Sequence, residues 1–370
     1  MKKSVTMTLD RRSFLNTGTA AIVTALAGIP AMTAFTGAAY AKSSAEDLLK
    51  QAITFDTHTH PGPFYRSMES LPGALKKIKA SHLTGFAYSV VTDLPIMKKG
   101  RLMKRKPEKG ELYQYVVSEL EKGSTKLTEL GVKIALNSQD IIAAKKAGAP
   151  VAMLAIEGGG FAEDRLEAIQ EVYHLGARII QPLHYNYYNP FGDIQGKSSK
   201  GGLSKEGTAF VKEMARLGMV VDVAHMTHKG VNKAADAYGG PLLLSHVAYL
   251  KRRTDTGRFK RTAMPEHAKR VVDTGGLLGV WVNDHPKIVE MLGYSSAKKL
   301  MIGNFRMLAD KYGADHVCLG TDLNSTKGWF KGYEMLPELV ESLQEVGFHD
   351  DEIINMLGGN VLKLFNKVIS

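Results

Sequence analysis

The chain has 370 residues, of which 44% are hydrophobic and 23% charged, so it belongs with globular proteins rather than disordered, collagen-like or coiled-coil ones. Its single cysteine, Cys318, excludes an intrachain disulfide framework and a cysteine-rich zinc module. A net charge of +11, from 48 basic and 37 acidic residues, requires a nucleic-acid-binding class to be considered.

The first 41 residues predict an export signal. Paired arginines in Arg11-Arg12-Ser13-Phe14-Leu15 precede a weakly apolar stretch, residues 17–38, and the small-residue cleavage pattern Ala39-Tyr40-Ala41. This arrangement resembles a twin-arginine signal, so we expect a periplasmic or otherwise exported protein with no stable membrane anchor after cleavage. The alternative is an uncleaved anchor helix, which Pro30 and the many Gly and Thr residues disfavour.

The remaining chain, residues 42–370, predicts one domain built from alternating strands and helices. Apolar runs rich in Val, Ile and Leu, typical of strands buried on both faces of a parallel sheet, occupy residues 53–56, 84–92, 150–156, 178–183, 219–224, 241–245, 276–282 and 316–320. Amphipathic patterns that end before a glycine predict helices over residues 111–130, 164–175, 205–217, 265–274 and 296–312.

Eight such strands predict a (β/α)8 TIM barrel, with residues 132–135 as an extra β element outside it. The rival architecture is a doubly wound open sheet. No glycine-rich phosphate loop follows the first strand, so the main signature of that rival is missing from the sequence.

Polar residues cluster at or just past the carboxyl ends of the predicted strands. They are His58, His60, Glu157, His184, His225, His246 and Asp322. The βα loops at that end form the active site of barrels of this kind, so these residues predict a functional site on one rim.

The residue types favour a metal centre. His58 and His60 are two positions apart on extended chain, which leaves both imidazoles on the same side. Glu157 precedes three glycines that allow close backbone approach to a ligand. His225 and His246 end neighbouring strands and can form a second metal position. Nitrogen and oxygen ligands without thiolate suit Zn²⁺, Mn²⁺, Co²⁺ or Fe²⁺.

The ordered motifs of the chain resemble the membrane (renal) dipeptidase family, peptidase family M19 of the amidohydrolase superfamily. The motifs that carry this resemblance are Asp56-Thr57-His58-Thr59-His60, Ile156-Glu157-Gly158-Gly159, Leu183-His184-Tyr185-Asn186, Val221-Asp222-Val223-Ala224-His225, Ser245-His246, Gly320-Thr321-Asp322-Leu323 and Gly358-Gly359-Asn360-Val361-Leu362. The resemblance implies a metal-dependent hydrolase barrel that cleaves dipeptides, including those with a D-residue at the carboxyl end, and that forms a homodimer.

The resemblance also implies roles for individual residues. His58, His60 and Glu157 would hold one divalent ion, most often zinc, and Glu157, His225 and His246 a second. A hydroxide bridging the ions would attack the scissile carbonyl. Asp322 would transfer the proton and His184 would bind the carbonyl oxygen.

Substrate-binding residues are predicted near the same rim. The resemblance implies an arginine that holds the substrate carboxylate; Arg261 is the candidate, with Arg253 and Arg258 as alternatives. Tyr185 and Asn186 follow His184 and are expected to line the cleft.

One residue departs from the family pattern. His60 stands where the family typically has Asp, which removes one negative charge from the cluster. We expect an altered metal preference and a more acidic bridging water. The change also keeps open a related amidohydrolase activity on N-acyl amino acids, lactams or lactones.

The positive charge is concentrated in two segments, residues 98–109 and 251–270, each with a net charge of +6. A non-catalytic basic binding module would interleave these charges with exposed aromatic residues. The first segment contains no aromatic residue and the second only Phe259, so the sequence predicts no nucleic-acid partner. A field that favours small anionic, peptide-like substrates at the barrel mouth fits better. A metal-binding scaffold without catalysis would have no use for Asp322 and His184 on the same rim.

Overall fold

The structure, a computed structural model, describes residues 43–62, 64, 68–98, 101–196, 200–250, 262–325 and 328–369. The predicted signal segment lies outside these residues, and so do Arg253, Arg258 and Arg261. The described residues from Ser43 onward belong to one compact unit.

Twelve strands lie within the described residues, and ten of them form one curled parallel sheet. The strands are β1 (Phe55–Thr59), β2 (Gly85–Val91), β3 (Met97–Lys98), β4 (Arg101–Leu102), β5 (Lys133–Ile134), β6 (Val151–Glu157), β7 (Ala177–Gln181), β8 (Val220–Val221), β9 (Leu243–Tyr249), β10 (Thr262–Ala263), β11 (Leu277–Val280) and β12 (Val317–Leu319). The short strands β3 and β4 pair antiparallel with each other in a separate two-stranded sheet.

Eight of these described strands close into a parallel barrel in chain order. The strands β1, β2, β6, β7 and β8 lie side by side in that order, and so do β9, β11 and β12. The last strand, β12, pairs with β1 and joins the two groups. A parallel bridge between Asp222 and Leu243 joins β8 to β9, where Val223 N donates to Leu243 O over 2.7 Å. The predicted (β/α)8 fold is therefore confirmed, and β5 lies beside β6 as the predicted extra element.

Two strands extend by three or more residues past their predicted carboxyl ends. The first strand begins at Phe55 and continues to Thr59, so His58 lies inside it instead of following it. The sixth predicted strand continues to Tyr249, so His246 also lies inside a strand. In both cases backbone pairing extends beyond the apolar run, because polar side chains at the barrel mouth do not interrupt the hydrogen-bond ladder.

Side-chain alternation fills the barrel interior. One apolar cluster draws a residue from every barrel strand described, a set that only the interior can bring together: Phe55, Ala87, Met153, Ile179, Val220, Leu243, Leu277 and Cys318. In β6 the same cluster contains Val151, Met153 and Ala155. Because alternate residues of a strand face the same side, Glu157 continues this inward-facing row at the carboxyl end.

The helices cover the outside of the barrel and one of its ends. They are α1 (Ala45–Gln51), α2 (Leu71–Lys79), α3 (Glu111–Glu129), α4 (Ser138–Ala147), α5 (Glu167–His174), α6 (Lys205–Arg216), α7 (His228–Tyr238), α8 (Pro265–Asp273), α9 (Pro286–Met291), α10 (Ala297–Tyr312), α11 (Leu336–Glu345), α12 (Asp350–Ile354) and α13 (Asn360–Val368). Phe365 of α13 packs edge-on against Phe55 with ring centroids 5.2 Å apart, at the amino end of the barrel. Within the described ranges, no helix combines the length and apolar character needed to cross a bilayer.

Candidate metal centre

Glu157 lies at the centre of the predicted site, with its two carboxylate oxygens facing different histidines. Oε2 lies 3.6 Å from Nε2 of His58 and 3.7 Å from Nε2 of His60. Oε1 lies 3.0 Å from Nε2 of His225, 3.4 Å from that of His184 and 3.7 Å from that of His246. The structure therefore brings the predicted residues together around one carboxylate.

Irregular strand pairing points two of the histidines into the barrel. The register between β1 and β2 shifts between Asp56 and Thr59, and that between β9 and β11 shifts in the segment that contains His246. Phe55 and Leu243 already face inward, so strict alternation would direct His58 and His246 outward. The extra residue of a β-bulge reverses the alternation and redirects the side chain, and bulges are common beside active sites.

The bulge in β9 depends on two glycines of the neighbouring strands. A Cβ at Gly279 or at Gly320 would lie 1.8 Å from the carbonyl oxygen of Ser245. No side chain can occupy either position without displacing that carbonyl. The glycines therefore leave the space in which the Ser245–His246 backbone bends.

His225 and Asp322 have left-handed backbone conformations, with φ of 68° and 56°. Such φ values are rare for residues with a side chain and are concentrated at functional sites. Both residues follow the ends of barrel strands, β8 and β12, and both side chains reach the cluster around Glu157. The strain is consistent with a backbone that is shaped to present these side chains.

His60 presents one unprotonated ring nitrogen to the cluster. Nδ1 of His60 donates to the carbonyl oxygen of Ser89 over 3.0 Å, which leaves Nε2 with the lone pair. The ring stacks on Phe64 with centroids 4.0 Å apart. Nε2 of His60 and Nε2 of His58 are both buried without a hydrogen-bond partner among the described residues.

Buried, unpartnered nitrogens aimed at a carboxylate are what a divalent cation would satisfy. Three groups of ligand atoms in the described residues lie close enough to hold an ion: His58–Glu157–His246, His58–His60–Asp322 and Glu157–His184–His225. The donor set of imidazole and carboxylate suits borderline divalent metals. The described residues thus fit a metal centre, but these groups divide the ligands differently from the predicted sets: His58 is grouped with His246, and Glu157 and His225 with His184.

In the metal-free site, the histidines and carboxylates shift each other's pKa values. Burial on its own would lower the pKa of His58, but the carboxylates of Glu157, Asp322 and Asp222 outweigh it and raise that pKa to about 9. Burial would likewise raise the pKa of Glu157, yet His184 and His58 hold it well below its usual value. Glu157 is therefore ionised, and a proton occupies His58 at neutral pH in the absence of metal.

Asp322 is held between the indole of Trp281 and the first pair of histidines. Nε1 of Trp281 donates to Oδ2 over 3.2 Å, while Oδ1 lies 3.3 Å from Nε2 of His60 and 3.9 Å from that of His58. Trp281 thus lies against the carboxylate that, by the family resemblance, is expected to carry protons.

Sequence reasoning missed the polar residues that contact the Nδ1 atoms of the site histidines, on the side of each ring that faces away from Glu157. Asp93 contacts His184, while Gln181 and the hydroxyl of Ser89 lie 3.1 and 3.2 Å from Nδ1 of His58. No motif marks them, since they are single polar residues inside or just after apolar strands. Their position at the carboxyl ends of β2 and β7 is the one signal that could have found them.

The predicted substrate-binding residues have different environments. Tyr185 is 38% exposed, and its ring lies over His184 and His225 with centroid distances of 4.3 and 5.1 Å. Asn186 is buried, and its side-chain oxygen accepts from the backbone nitrogen of Tyr188 over 3.0 Å. Tyr185 can therefore wall the cleft, whereas Asn186 shapes the loop.

The first basic segment comes after the strand that ends at this site, and its residues 99 and 100 lie outside the described part. Residues 98–109 follow β2, whose last residue, Val91, pairs with Glu157, so the loop leaves the sheet at the site's edge. Lys98, Arg101 and Lys104 are exposed there, whereas Arg105 pairs with Glu111. Of the second segment, residues 251–261 lie outside the described part.

Solved structures of other proteins share the fold of this chain. The probable dipeptidase PvdM from Pseudomonas aeruginosa has the same fold, with a TM-score of 0.73, 19% identity and coverage of 88% of this chain and 97% of that one. A metallopeptidase from Rhodobacter sphaeroides, solved with a phosphinate mimic of the dipeptide L-Ala-D-Ala, has a TM-score of 0.70, 16% identity and coverage of 86% and 99%. At these identities the likeness shows a shared fold.

Sequence comparison identifies the family. An uncharacterised dipeptidase of Schizosaccharomyces pombe is 29% identical over 219 residues, 58% of this chain and 52% of the relative, so the chain spans about half the length of that curated relative. A family model described as membrane dipeptidase, peptidase family M19, matches residues 43–370. The chain therefore belongs to the membrane dipeptidase family.

Proposed function

We propose that this protein is a metal-dependent dipeptidase that binds two divalent ions, one on each side of Glu157. The observation that carries this proposal is the division of the Glu157 carboxylate, with Oε2 facing His58 and His60 and Oε1 facing His225 and His246. A carboxylate whose two oxygens lie beside different imidazoles can be shared by two cations.

In this proposal His58, His60 and Glu157 hold one ion, and Glu157, His225 and His246 hold the other. Zinc is the first metal to test, with Mn²⁺, Co²⁺ and Fe²⁺ as alternatives, because the ligands are imidazole and carboxylate. Such ions polarise a carbonyl oxygen and make water a stronger nucleophile near neutral pH.

The remaining site residues act on the substrate and on protons. Asp322, at the edge of the cluster, accepts a proton from the attacking water and delivers it to the leaving amine, so that one water is consumed for each peptide bond cleaved. His184 presents Nε2 to the site and binds the substrate carbonyl oxygen, where negative charge develops. The ring of Tyr185 forms the exposed wall.

The substrate is proposed to be a small, anionic dipeptide. Dipeptides with a D-residue at the carboxyl end are included, because the R. sphaeroides relative binds a mimic of one. The exposed cations of residues 98–109 favour a negatively charged ligand at this rim. Export through the twin-arginine-type signal is part of the proposal and is tested separately, by fractionation of cells that express the full chain.

The test combines metal removal with a substrate panel. Protein treated with a chelator should hydrolyse no dipeptide, and added Zn²⁺, Mn²⁺ or Co²⁺ should restore turnover. Asp322→Asn should retain its metal and lose about 10²–10⁴-fold in kcat. The panel includes L,L- and L,D-dipeptides, N-acyl amino acids, lactams and lactones. Turnover of the acyl compounds alone would favour the related amidohydrolase activity, and no turnover of any compound with metal present would refute the proposal.

A further inference from the structure

Asp93 is a buried carboxylate that makes all its hydrogen bonds through one oxygen. It follows β2 and is 1% exposed. Oδ2 accepts from Nδ1 of His184 over 2.9 Å, from the backbone nitrogen of Tyr185 over 2.9 Å and from that of Asn186 over 2.8 Å. Oδ1 is buried without a hydrogen-bond partner among the described residues.

These contacts decide which atom His184 presents to the site. A carboxylate only accepts, so Nδ1 of His184 carries a hydrogen and points away from the cluster. Nε2 then faces Glu157, 3.4 Å from Oε1. Because a carbonyl oxygen only accepts, Nε2 can bind one only by donating a hydrogen of its own, in a ring that carries hydrogen on both nitrogens. If Asp93 were absent, the imidazole could rotate about the Cβ–Cγ bond, since the described residues show no other hydrogen bond to Nδ1.

Asp93 also fixes the backbone on which this histidine is carried. The two peptide nitrogens that it binds belong to the residues directly after His184, so the start of the loop after β7 is held to the end of β2. The residue after Glu157 packs closely against both side chains. A Cβ at Gly158 would lie 3.2 Å from Cβ of His184 and 3.6 Å from Oδ1 of Asp93. The Thr92 hydroxyl donates to the carbonyl of Gly158.

We propose that Asp93 is the positioning residue for His184, and that it acts by holding Nδ1 and thereby directing Nε2 at the substrate carbonyl. Asp93 belongs to none of the ion-holding groups in the described residues, whereas its partner His184 belongs to one of them, with Glu157 and His225, so metal content is measured in every variant. The kinetic consequence of this role rests on the proposed function, whereas the orientation of the ring does not.

The decisive variant is Asp93→Asn. Its amide oxygen can replace Oδ2 in the three hydrogen bonds, but an uncharged oxygen holds Nδ1 more weakly than a carboxylate does, and the amide nitrogen takes the place of the unpartnered Oδ1. Asp93→Ala removes the bonds as well. Asp193→Asn is a matched control, because Asp193 is also buried in a loop and accepts from the backbone nitrogens of Lys200 and Gly202, each over 2.7 Å.

We expect kcat of Asp93→Asn to fall about 10–100-fold and that of Asp93→Ala further, with KM changed by less than about twofold and metal content unchanged. Asp193→Asn should leave kcat unchanged. In the double variant Asp93→Asn/His184→Gln, kcat should fall no further than in His184→Gln alone, because Asp93 acts through His184. Additive losses, or an equal loss in Asp193→Asn, would overturn the proposal.

A second readout works without any substrate. In protein labelled with ¹⁵N-histidine, the His184 signals are identified by their loss in His184→Gln, and they should report a proton on Nδ1. Asp93→Asn and Asp93→Ala should shift these signals while the other site histidines keep theirs. Unchanged His184 signals in both variants would overturn the positioning role. If the wild type cleaves no dipeptide but these signals move, the proposed function fails and the positioning role stands.

Discussion

Raising the pH should destabilise the metal-free protein through His58. This buried imidazole is surrounded by carboxylates that raise its pKa to about 9 in the folded state, against about 6.5 in an unfolded chain. The folded state therefore binds this proton more tightly than the unfolded state. The resulting stabilisation is fully present below pH 6.5 and is lost as the pH rises through 9.

The magnitude follows from the difference between the two pKa values. At about 1.4 kcal/mol for each unit, the full contribution is about 3 kcal/mol, of which about 2 kcal/mol should be lost between pH 6 and pH 8.5. His267, another buried histidine, does not contribute to this loss of stability. Burial, and next the nearby His228, lower its pKa to about 4, so it stays neutral in the folded protein across this range.

The assay is urea unfolding of chelator-treated protein at several pH values between 6 and 8.5, for the wild type and for His58→Asn. The variant lacks the titrating ring, so the difference between the two curves isolates its contribution. The wild type should lose about 2 kcal/mol more than the variant over this range. Parallel curves would refute the assignment of a shared proton to His58 and its carboxylate neighbours.

Four further outcomes are expected. Metal binding at pH 7.5 should release the proton of His58, so calorimetric heats should differ between buffers of different ionisation enthalpy; equal heats would contradict this. His60→Asp should shift metal preference from Zn²⁺ towards Mn²⁺ and raise the lower midpoint of the pH–rate profile, and a metal titration with matching curves for both proteins would refute it. Gly279→Ala places a Cβ 1.8 Å from Ser245 O and should lower the unfolding free energy by about 1–3 kcal/mol in denaturant melts, together with metal occupancy; wild-type values for both would show that the bulge tolerates a side chain. Added salt should raise KM for anionic dipeptides more than for neutral ones, and equal effects would argue against a role for the basic segment at residues 98–109.

The barrel fold and the polar residues at its carboxyl-terminal rim could be predicted from the sequence, because both follow from the pattern of apolar runs. Buried parallel strands are continuous apolar runs, and parallel strands place their carboxyl ends on one face. A His, Glu or Asp that ends such a run must therefore lie near the others. This reasoning brought His225 of one strand and His246 of the next into one site, although 20 residues separate them.

The inward direction of His58 and His246 could not be predicted from alternation. Phe55 and Leu243 face the interior, so an ideal strand would direct both histidines outwards. The reversal depends on bulges, and in β9 on the space left by two glycines from other strands. Such space is a property of packing between distant segments, and the local sequence of β9 does not encode it.

Asp93 shows a different limit. It is a single acidic residue after an apolar strand, and its partner lies 91 positions further along the chain. Only the closed barrel brings the ends of β2 and β7 close enough for the contact. The histidines of the site could be recognised by type and position, whereas the residues that orient them became visible only through three-dimensional contacts.

Sharing of Glu157 between two metal ions can be observed by anomalous X-ray scattering at the zinc edge from crystals of the zinc-loaded protein. We expect two peaks, one in contact with His58, His60 and Oε2 of Glu157, the other with His225, His246 and Oε1. A single peak, or two peaks that do not share Glu157, would refute the two-ion site.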